Sequence, residues 1–175
     1  MGIFCLLYDI FNHHNFVRMK DAITLERIKL LHPKLRDEVM EIYEEICEAL
    51  KGRAICRFTY TLRTFAEQDL LFKKVPKVTN AKGGMSYHNY GLAIDIVLII
   101  DGKTASWDVK GDYDKDRISD WMEVVEIFKQ YGWEWGGDWK FYDAPHFQKT
   151  FGYSVRQLLA LHQAGKVDEK GFVRI

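Results

Sequence analysis

Residues 91–100 read GLAIDIVLII, a run of branched apolar residues interrupted by a single carboxylate, Asp95. A short continuous apolar run of this kind is expected to be a buried strand. An unpaired carboxylate inside such a strand is costly, so something must compensate Asp95. The preceding residues, GGMSYHNY (83–90), offer a candidate in His88. Gly91 separates the strand from His88 and lets the chain turn so that the imidazole can fold back toward the carboxylate.

Outward from this strand, AICRFTYT (54–61) alternates as a second strand should. DGK (101–103) reads as a turn into a partner strand near Trp107, and PHFQ (145–148) as a further short strand. Leu35, Val39, Met40, Ile42, Tyr43, Ile46, Cys47 and Leu50 recur at helical spacing and predict a helix over 34–50, stopped by Gly52. TFAEQDLLF (64–72) reads as a short helix, with Thr64 and Glu67 forming a capping box. A helix is expected at about 117–130, and SVRQLLALHQAG (154–165) is a closing helix with a serine N-cap and a glycine stop. Residues 73–86 read as a basic, glycine-containing loop and GWEWGG (132–137) as a turn region. Early helices and central strands predict an α+β fold, with helices packed on one face of a small antiparallel sheet.

The chain of 175 residues suits one domain that needs no disulfide or metal to fold. Its patterned part begins near Met19, so we expect an N-terminal extension of unknown role over 1–20 and the domain over 21–175. The opening MGIFCLLYDI is apolar but lacks a basic leader, carries Asp9 and leads to no small-residue cleavage site, so it is not read as a signal peptide. No apolar run reaches the length of about 18 residues that a membrane span needs. Twenty-five basic residues balance 25 acidic ones, which excludes the electrostatic footprint of a nucleic-acid binder. Cys5, Cys47 and Cys56 form neither an even set nor a CxxC pair, and predict reduced thiols and folding in a cytosol-like compartment. We expect a monomer.

A third chemical group joins His88 and Asp95: His146, in DAPHFQ (143–148) at the start of another strand. Two imidazoles and a carboxylate suit Zn²⁺, with a fourth position left for water. Asp143 precedes His146 by three residues, where a general base can reach such a water. Arg63 follows the 54–61 strand and can face a developing oxyanion. Taken singly, a loop histidine is more often a hydrogen-bonding residue, the class to which we assign His13, His14, His32 and His162. A strand aspartate is often structural, and H-x6-D is a loose spacing, so the residues alone leave both readings open. A second acidic cluster, DYDKDRISDWME (112–123), sets Asp112, Asp114, Asp116, Asp120 and Glu123 at positions 1, 3, 5, 9 and 12 of an EF-hand-like Ca²⁺ loop. Position 6, normally glycine, is Arg117. The competing reading is a solvated acidic loop capping the next helix.

SYHNYGLAID (86–95) fits S-x-H-x-x-G-x-A-x-D, and the chain thereby resembles the VanX/VanY-like zinc peptidases, which include D-Ala-D-Ala peptidases and L-alanyl-D-glutamate endopeptidases of phage endolysins. TLRTFAEQ (61–68) resembles the family's Y-R-[ST]-x-x-x-Q segment, with Leu62 where an aromatic is frequent, and GWEWGGDWKFYDAPHFQ (132–148) its closing [DE]-x-x-H segment. The resemblance spans roughly residues 22–175 and implies a Hedgehog/D-Ala-D-Ala-peptidase-like fold. It further implies one catalytic Zn²⁺ on His88, Asp95 and His146, Asp143 as base and Arg63 as transition-state cation. Ser86, Gln68 and Tyr87 are the implied substrate contacts. Dipeptidases of the family carry Glu at the base position, so Asp143 points to the endopeptidase branch. The implied substrate is the bacterial peptidoglycan stem peptide, cut at L-Ala–D-Glu. The alternatives are D-alanyl-D-alanine carboxypeptidase or dipeptidase activity, or a non-catalytic zinc-containing binding module like the related Hedgehog signalling domain. The resemblance also implies synthesis in the cytoplasm, action on the cell wall and a phage-lysin-like route of release. Trp133, Trp135, Trp139 and Tyr142 are candidate cleft walls, with core packing expected for at least two.

Overall fold

The computed structural model describes residues 20–175. The expectations for the N-terminal extension, Cys5, His13 and His14 lie outside the described residues. The apolar run forms strand β2 (Ala93–Ile100), the centre of an antiparallel sheet. One edge of β2 pairs along its length with β1 (Ala54–Tyr60). The other edge is shared: its first half takes β5 (His146–Gln148), and its second half takes β3 (Thr104–Ser106). Beyond β5 lies β4 (Glu134–Trp135), so part of GWEWGG is a strand, followed by a 3₁₀ turn over Gly136–Asp138.

Side-chain alternation along β2 divides the molecule. Ile94, Ile96, Leu98 and Ile100 enter the main core with Ala54, Cys56 and Phe58 of β1. Opposite them pack α1 (Ala22–Lys29), α2 (Arg36–Ala49) and α4 (Asp120–Gln130) through Ile28, Val39, Ile42, Ile46, Trp121, Val124 and Phe128. Asp95, Val97 and Ile99 therefore point to the other face. The helices α3 (Phe65–Phe72) and α5 (Val155–Gln163) flank the 83–90 loop, where Leu159 lies against Gly84 and the Phe65 and His162 rings are 4.9 Å apart.

Two boundaries differ from the periodicity reading. Helix α1 was not expected: only Thr24 and Ile28 of its eight residues are buried, too few to show a stripe. It is fixed instead by its cap. Asp21 accepts hydrogen bonds from the Thr24 backbone N–H and hydroxyl and pairs with Arg57 on β1 at 2.7 Å. Helix α4 starts at Asp120 rather than 117, because Ser119 caps it and the acidic residues before it stay in the loop. Burial alone would raise the Asp21 carboxyl, but hydrogen bonds from Arg57 and Thr24 outweigh it and hold the group below the usual carboxylate range. Its contribution is therefore full above the unfolded-state pKa and is lost as pH falls through the folded-state one. Asp21→Ala should destabilise the fold by about 2 kcal/mol at neutral pH, read by urea unfolding, with the difference from wild type shrinking in acid.

Candidate metal centre and active site

Three segments converge on the face of β2 opposite the helical core. Asp95 lies directly across the ladder from His146, so both side chains leave the same face of the sheet. Behind His146, Phe147 points into the core and stacks on Phe128 with ring centroids 4.4 Å apart, which fixes the strand's rotation. His88 comes from a 3₁₀ turn (Tyr87–Tyr90) capped by the Ser86 hydroxyl, which accepts the His88 backbone N–H. That turn ends at Gly91 with φ +66°, and a Cβ there would lie 2.7 Å from the His32 backbone nitrogen. Only glycine meets both demands. The Asn89 side chain pins the turn from within: its carbonyl accepts from the Gly84 and Ser86 N–H groups, and its amide donates to the Arg63 carbonyl.

His88 Nε2, His146 Nδ1 and Asp95 Oδ1 form a triangle with sides of 3.1, 3.1 and 3.3 Å. The far nitrogen of each imidazole decides what the triangle can hold. His88 Nδ1 lies 3.0 Å from the Thr61 carbonyl, which can only accept, so Nδ1 carries the proton and Nε2 presents a lone pair. His146 Nε2 lies 3.1 Å from Gln148 Oε1, and the Gln148 amide donates to Glu134 at 2.8 Å, so Nε2 donates and Nδ1 presents its lone pair inward. Three acceptors thus face one another with no donor among them. A tetrahedral centre with bonds of about 2.0–2.1 Å places its ligand atoms roughly 3.3 Å apart, close to the separations found here. The donor set fits Zn²⁺, and the outer hydrogen bonds fix both histidine tautomers.

Electrostatically the Asp95 carboxylate and the His146 imidazole favour each other's charged forms, and the proton on Nδ1 is the one a metal would displace. Burial raises the Asp95 carboxyl, but His88 and His146 outweigh it and hold the group far below its usual range. Burial lowers His146, and the hydrogen bond and charge of Asp95 outweigh that and raise it. Asp95 is not sealed in: its side chain is 22% exposed. The sequence suggests a carboxylate inside the core, whereas alternation places it on the site face.

Asp143 is exposed at the mouth of the site, held by main-chain bonds from its N–H to the Gly136 carbonyl and from the His146 N–H to its own carbonyl. Partial desolvation of its carboxyl, together with the charge of Asp95, raises its pKa against the opposing pull of His146 and His88. Arg63 brings Nη2 to 3.8 Å from Asp95 Oδ2. Its Nη1 donates to Gln68 Oε1 at 2.9 Å, and its guanidinium lies 4.8 Å from the centre of the Tyr60 ring. The three expected substrate contacts all have partners inside the protein. Gln68 holds Arg63 and donates to the Ala81 carbonyl, Ser86 caps the His88 turn, and the Tyr87 hydroxyl donates to the Tyr153 carbonyl.

An open cleft of about 450 Å³ is lined by Tyr142 and Asp143 together with Trp107, Asp108, Val109 and Lys110. The four candidate wall aromatics divide evenly. Trp133 and Trp135 are buried in the core, while Trp139 stands 5.3 Å from the His146 ring and Tyr142 lines the cleft. Sequence reasoning missed Trp107, Gln148 and the Thr61 carbonyl. Gln148 could have been found by strand alternation from His146.

A family model described as D-alanyl-D-alanine carboxypeptidase matches residues 79–149. The peptidoglycan L-alanyl-D-glutamate endopeptidase CwlK of Bacillus subtilis (strain 168) is 46% identical over 118 residues, which covers 61% of this chain and 71% of that protein. The L-alanyl-D-glutamate peptidase of Listeria phage A118 is 43% identical over 72 residues, 40% of this chain but only 23% of that protein. Among solved structures, the Serratia marcescens L-Ala D-Glu endopeptidase ChiX matches with a TM-score of 0.54 and 25% identity, over 78% of this chain and 95% of that one. With a relative this similar over more than two thirds of its length, and with the matched segment running from the His88 loop through His146, the chain belongs to the M15 family of peptidases, the VanX/VanY-like group that its motifs resemble.

Proposed function

We propose that the protein is a zinc-dependent endopeptidase that cuts the L-alanyl–D-glutamate bond of the peptidoglycan stem peptide. His88 Nε2, Asp95 and His146 Nδ1 are the zinc ligands, Asp143 is the general base, and Arg63 is the cation facing the oxyanion. The observation that carries the reading is the triangle of three inward acceptors with no donor among them. The choice of bond is supported by the printed activities of the Bacillus, Listeria phage and Serratia relatives.

Bound in the triangle, Zn²⁺ supplies a Lewis acid that polarises the scissile carbonyl and acidifies water. The chain supplies the rest. The Asp143 carboxylate accepts the proton of the attacking water and then delivers it to the nitrogen of the leaving amine. Its raised basicity suits the first transfer. Arg63, already held by Gln68 and the Tyr60 ring, offers its charge to the tetrahedral oxyanion without reorganising. Trp107 and Tyr142 flank the approach to Asp143 and provide apolar walls for an extended peptide. Among the described residues no helix is long and apolar enough to cross a membrane.

Digestion of defined muropeptides by the zinc-loaded protein, followed by mass spectrometry, tests the proposal. Cleavage after L-Ala, leaving a new D-Glu amino terminus, is the expected result. Loss of a single terminal D-Ala would instead establish the carboxypeptidase reading, which the description of the matching family model favours. If zinc-loaded protein leaves both bonds intact, the centre serves binding alone.

A further inference from the structure

The acidic loop between β3 and α4 is not used by the proposed peptidase chemistry. Its carboxylates nonetheless gather. Oxygens of Asp112, Asp114 and Asp120 lie within 4.8 Å of one another, as do oxygens of Asp114, Asp116 and Glu123. Asp114 belongs to both groups and joins them.

Part of the cluster is explained by the loop itself. Asp112 accepts the N–H groups of Lys115 and Arg117, Asp114 accepts those of Asp116 and Lys51, and Asp116 accepts that of Ile118. The start of α4 also favours negative charge. The helix start favours the charges of Asp120 and Glu123, its two first-turn acids, but it leaves one oxygen of each without a partner. Asp120 is 0% exposed; its Oδ1 accepts the Tyr113 N–H, while its Oδ2 is buried with no hydrogen-bond partner. Glu123 Oε2 is buried and likewise unpartnered. Among the described residues, no ion pair involves any of the five carboxylates. Burial, then the charges of Asp116, Asp114 and Asp120, push the Glu123 carboxyl up to about 7. A fully buried, unpaired carboxylate oxygen facing further carboxylates is a strong demand for a cation.

We propose that Asp112, Asp114, Asp116, Asp120 and Glu123 form a Ca²⁺ site, separate from the zinc centre, that secures one wall of the active-site cleft. The donors are all hard carboxylate oxygens with no imidazole or thiolate, which selects Ca²⁺ over zinc. Arg117 takes the sixth loop position at φ +81°, so the turn that normally needs glycine forms without one. The link to the cleft is through hydrogen bonds. The Ser119 hydroxyl donates to the Val109 carbonyl, the Asp120 N–H donates to the Gly111 carbonyl, and the Tyr113 and Ser106 hydroxyls are 3.0 Å apart. These bonds tie the loop to Ser106, Val109 and Gly111, and Val109 lines the same cleft as Asp143. Binding at this site does not depend on the peptidase reading; only its effect on turnover does.

The test is calorimetric titration and thermal unfolding of the zinc-loaded full chain with Ca²⁺, with Mg²⁺ as the control. Saturation to about a hundred times Kd should raise Tm by about 5–10 °C. Mg²⁺ should give a smaller rise, because it demands a stricter octahedron. Asp120→Asn and Glu123→Gln should abolish the Ca²⁺-induced shift, and in calcium-free buffer each should melt no lower than wild type, since each removes a buried unpaired charge. Asp114→Asn provides a further variant should either fail to fold. The proposal is overturned if wild type shows neither heat nor a Tm shift up to 5 mM Ca²⁺ (about the weakest range of such sites), or if the shift survives unchanged in the variants. Ca²⁺ binding without muropeptide cleavage would sink the peptidase reading and leave the site standing.

Discussion

Asp143→Asn should keep its zinc and lose about 10²–10⁴-fold in kcat, the range that a positioned general base contributes. Asparagine matches aspartate in size and leaves the main-chain bonds between Asp143, Gly136 and His146 in place, so the ligand strand does not move. What disappears is the ability to accept a proton. KM should change little, because the lost interaction forms only as the water attacks. Metal content by mass spectrometry and initial rates on a defined muropeptide check both halves of the expectation. A variant that hydrolyses at the wild-type rate would show that the base lies elsewhere. The raised pKa of Asp143 also has a place in this account: a carboxylate of ordinary acidity is a poor match for a proton leaving water, and partial desolvation with the charge of Asp95 narrows that mismatch.

The parts of this molecule that the sequence makes legible are those with local causes. The capping box at Thr64, the serine N-cap at Ser154, the strand at 93–100 and the glycine turn before it rest on interactions within a few residues, and all form as expected. What escapes is long-range. No spacing announces that β5 pairs with the first half of β2 while β3 takes the second, yet that division sets Asp95 opposite His146. The Thr61 carbonyl that fixes the His88 tautomer is main chain, beyond a register shift between Phe58 and Tyr60, so no side-chain pattern can point to it. Trp133 and Trp135 lie beside and in β4, whereas Trp139 and Tyr142 lie in the loop beyond the 3₁₀ turn, and hydrophobicity cannot separate them. Asp95 is the clearest case. Its apolar neighbours make it look buried in the core, but alternation alone, applied strictly, already sends Ile94 and Ile96 one way and Asp95 the other.

His146→Ala should abolish stoichiometric zinc binding and reduce turnover to background while leaving the fold intact. Two features of the structure separate these outcomes. The core lies on the opposite face of the sheet, and Phe147, stacked on Phe128, holds β5 in register whether or not residue 146 carries a ring. The metal, in contrast, loses one of three inward donors, and the two that remain come from a 3₁₀ turn and a strand with no third element to close the site. Far-UV circular dichroism should therefore match wild type while competition with a chelator strips the metal. A graded control comes from Gln148→Ala, which leaves all three donors but frees the His146 ring from the Gln148–Glu134 chain. Its metal affinity should fall by about 10–100-fold, the usual cost of removing an outer hydrogen bond to a ligating histidine. The two variants must rank in that order. If His146→Ala retains zinc against a chelator concentration that empties Gln148→Ala, the triangle is not the metal centre, and the three facing acceptors need another explanation.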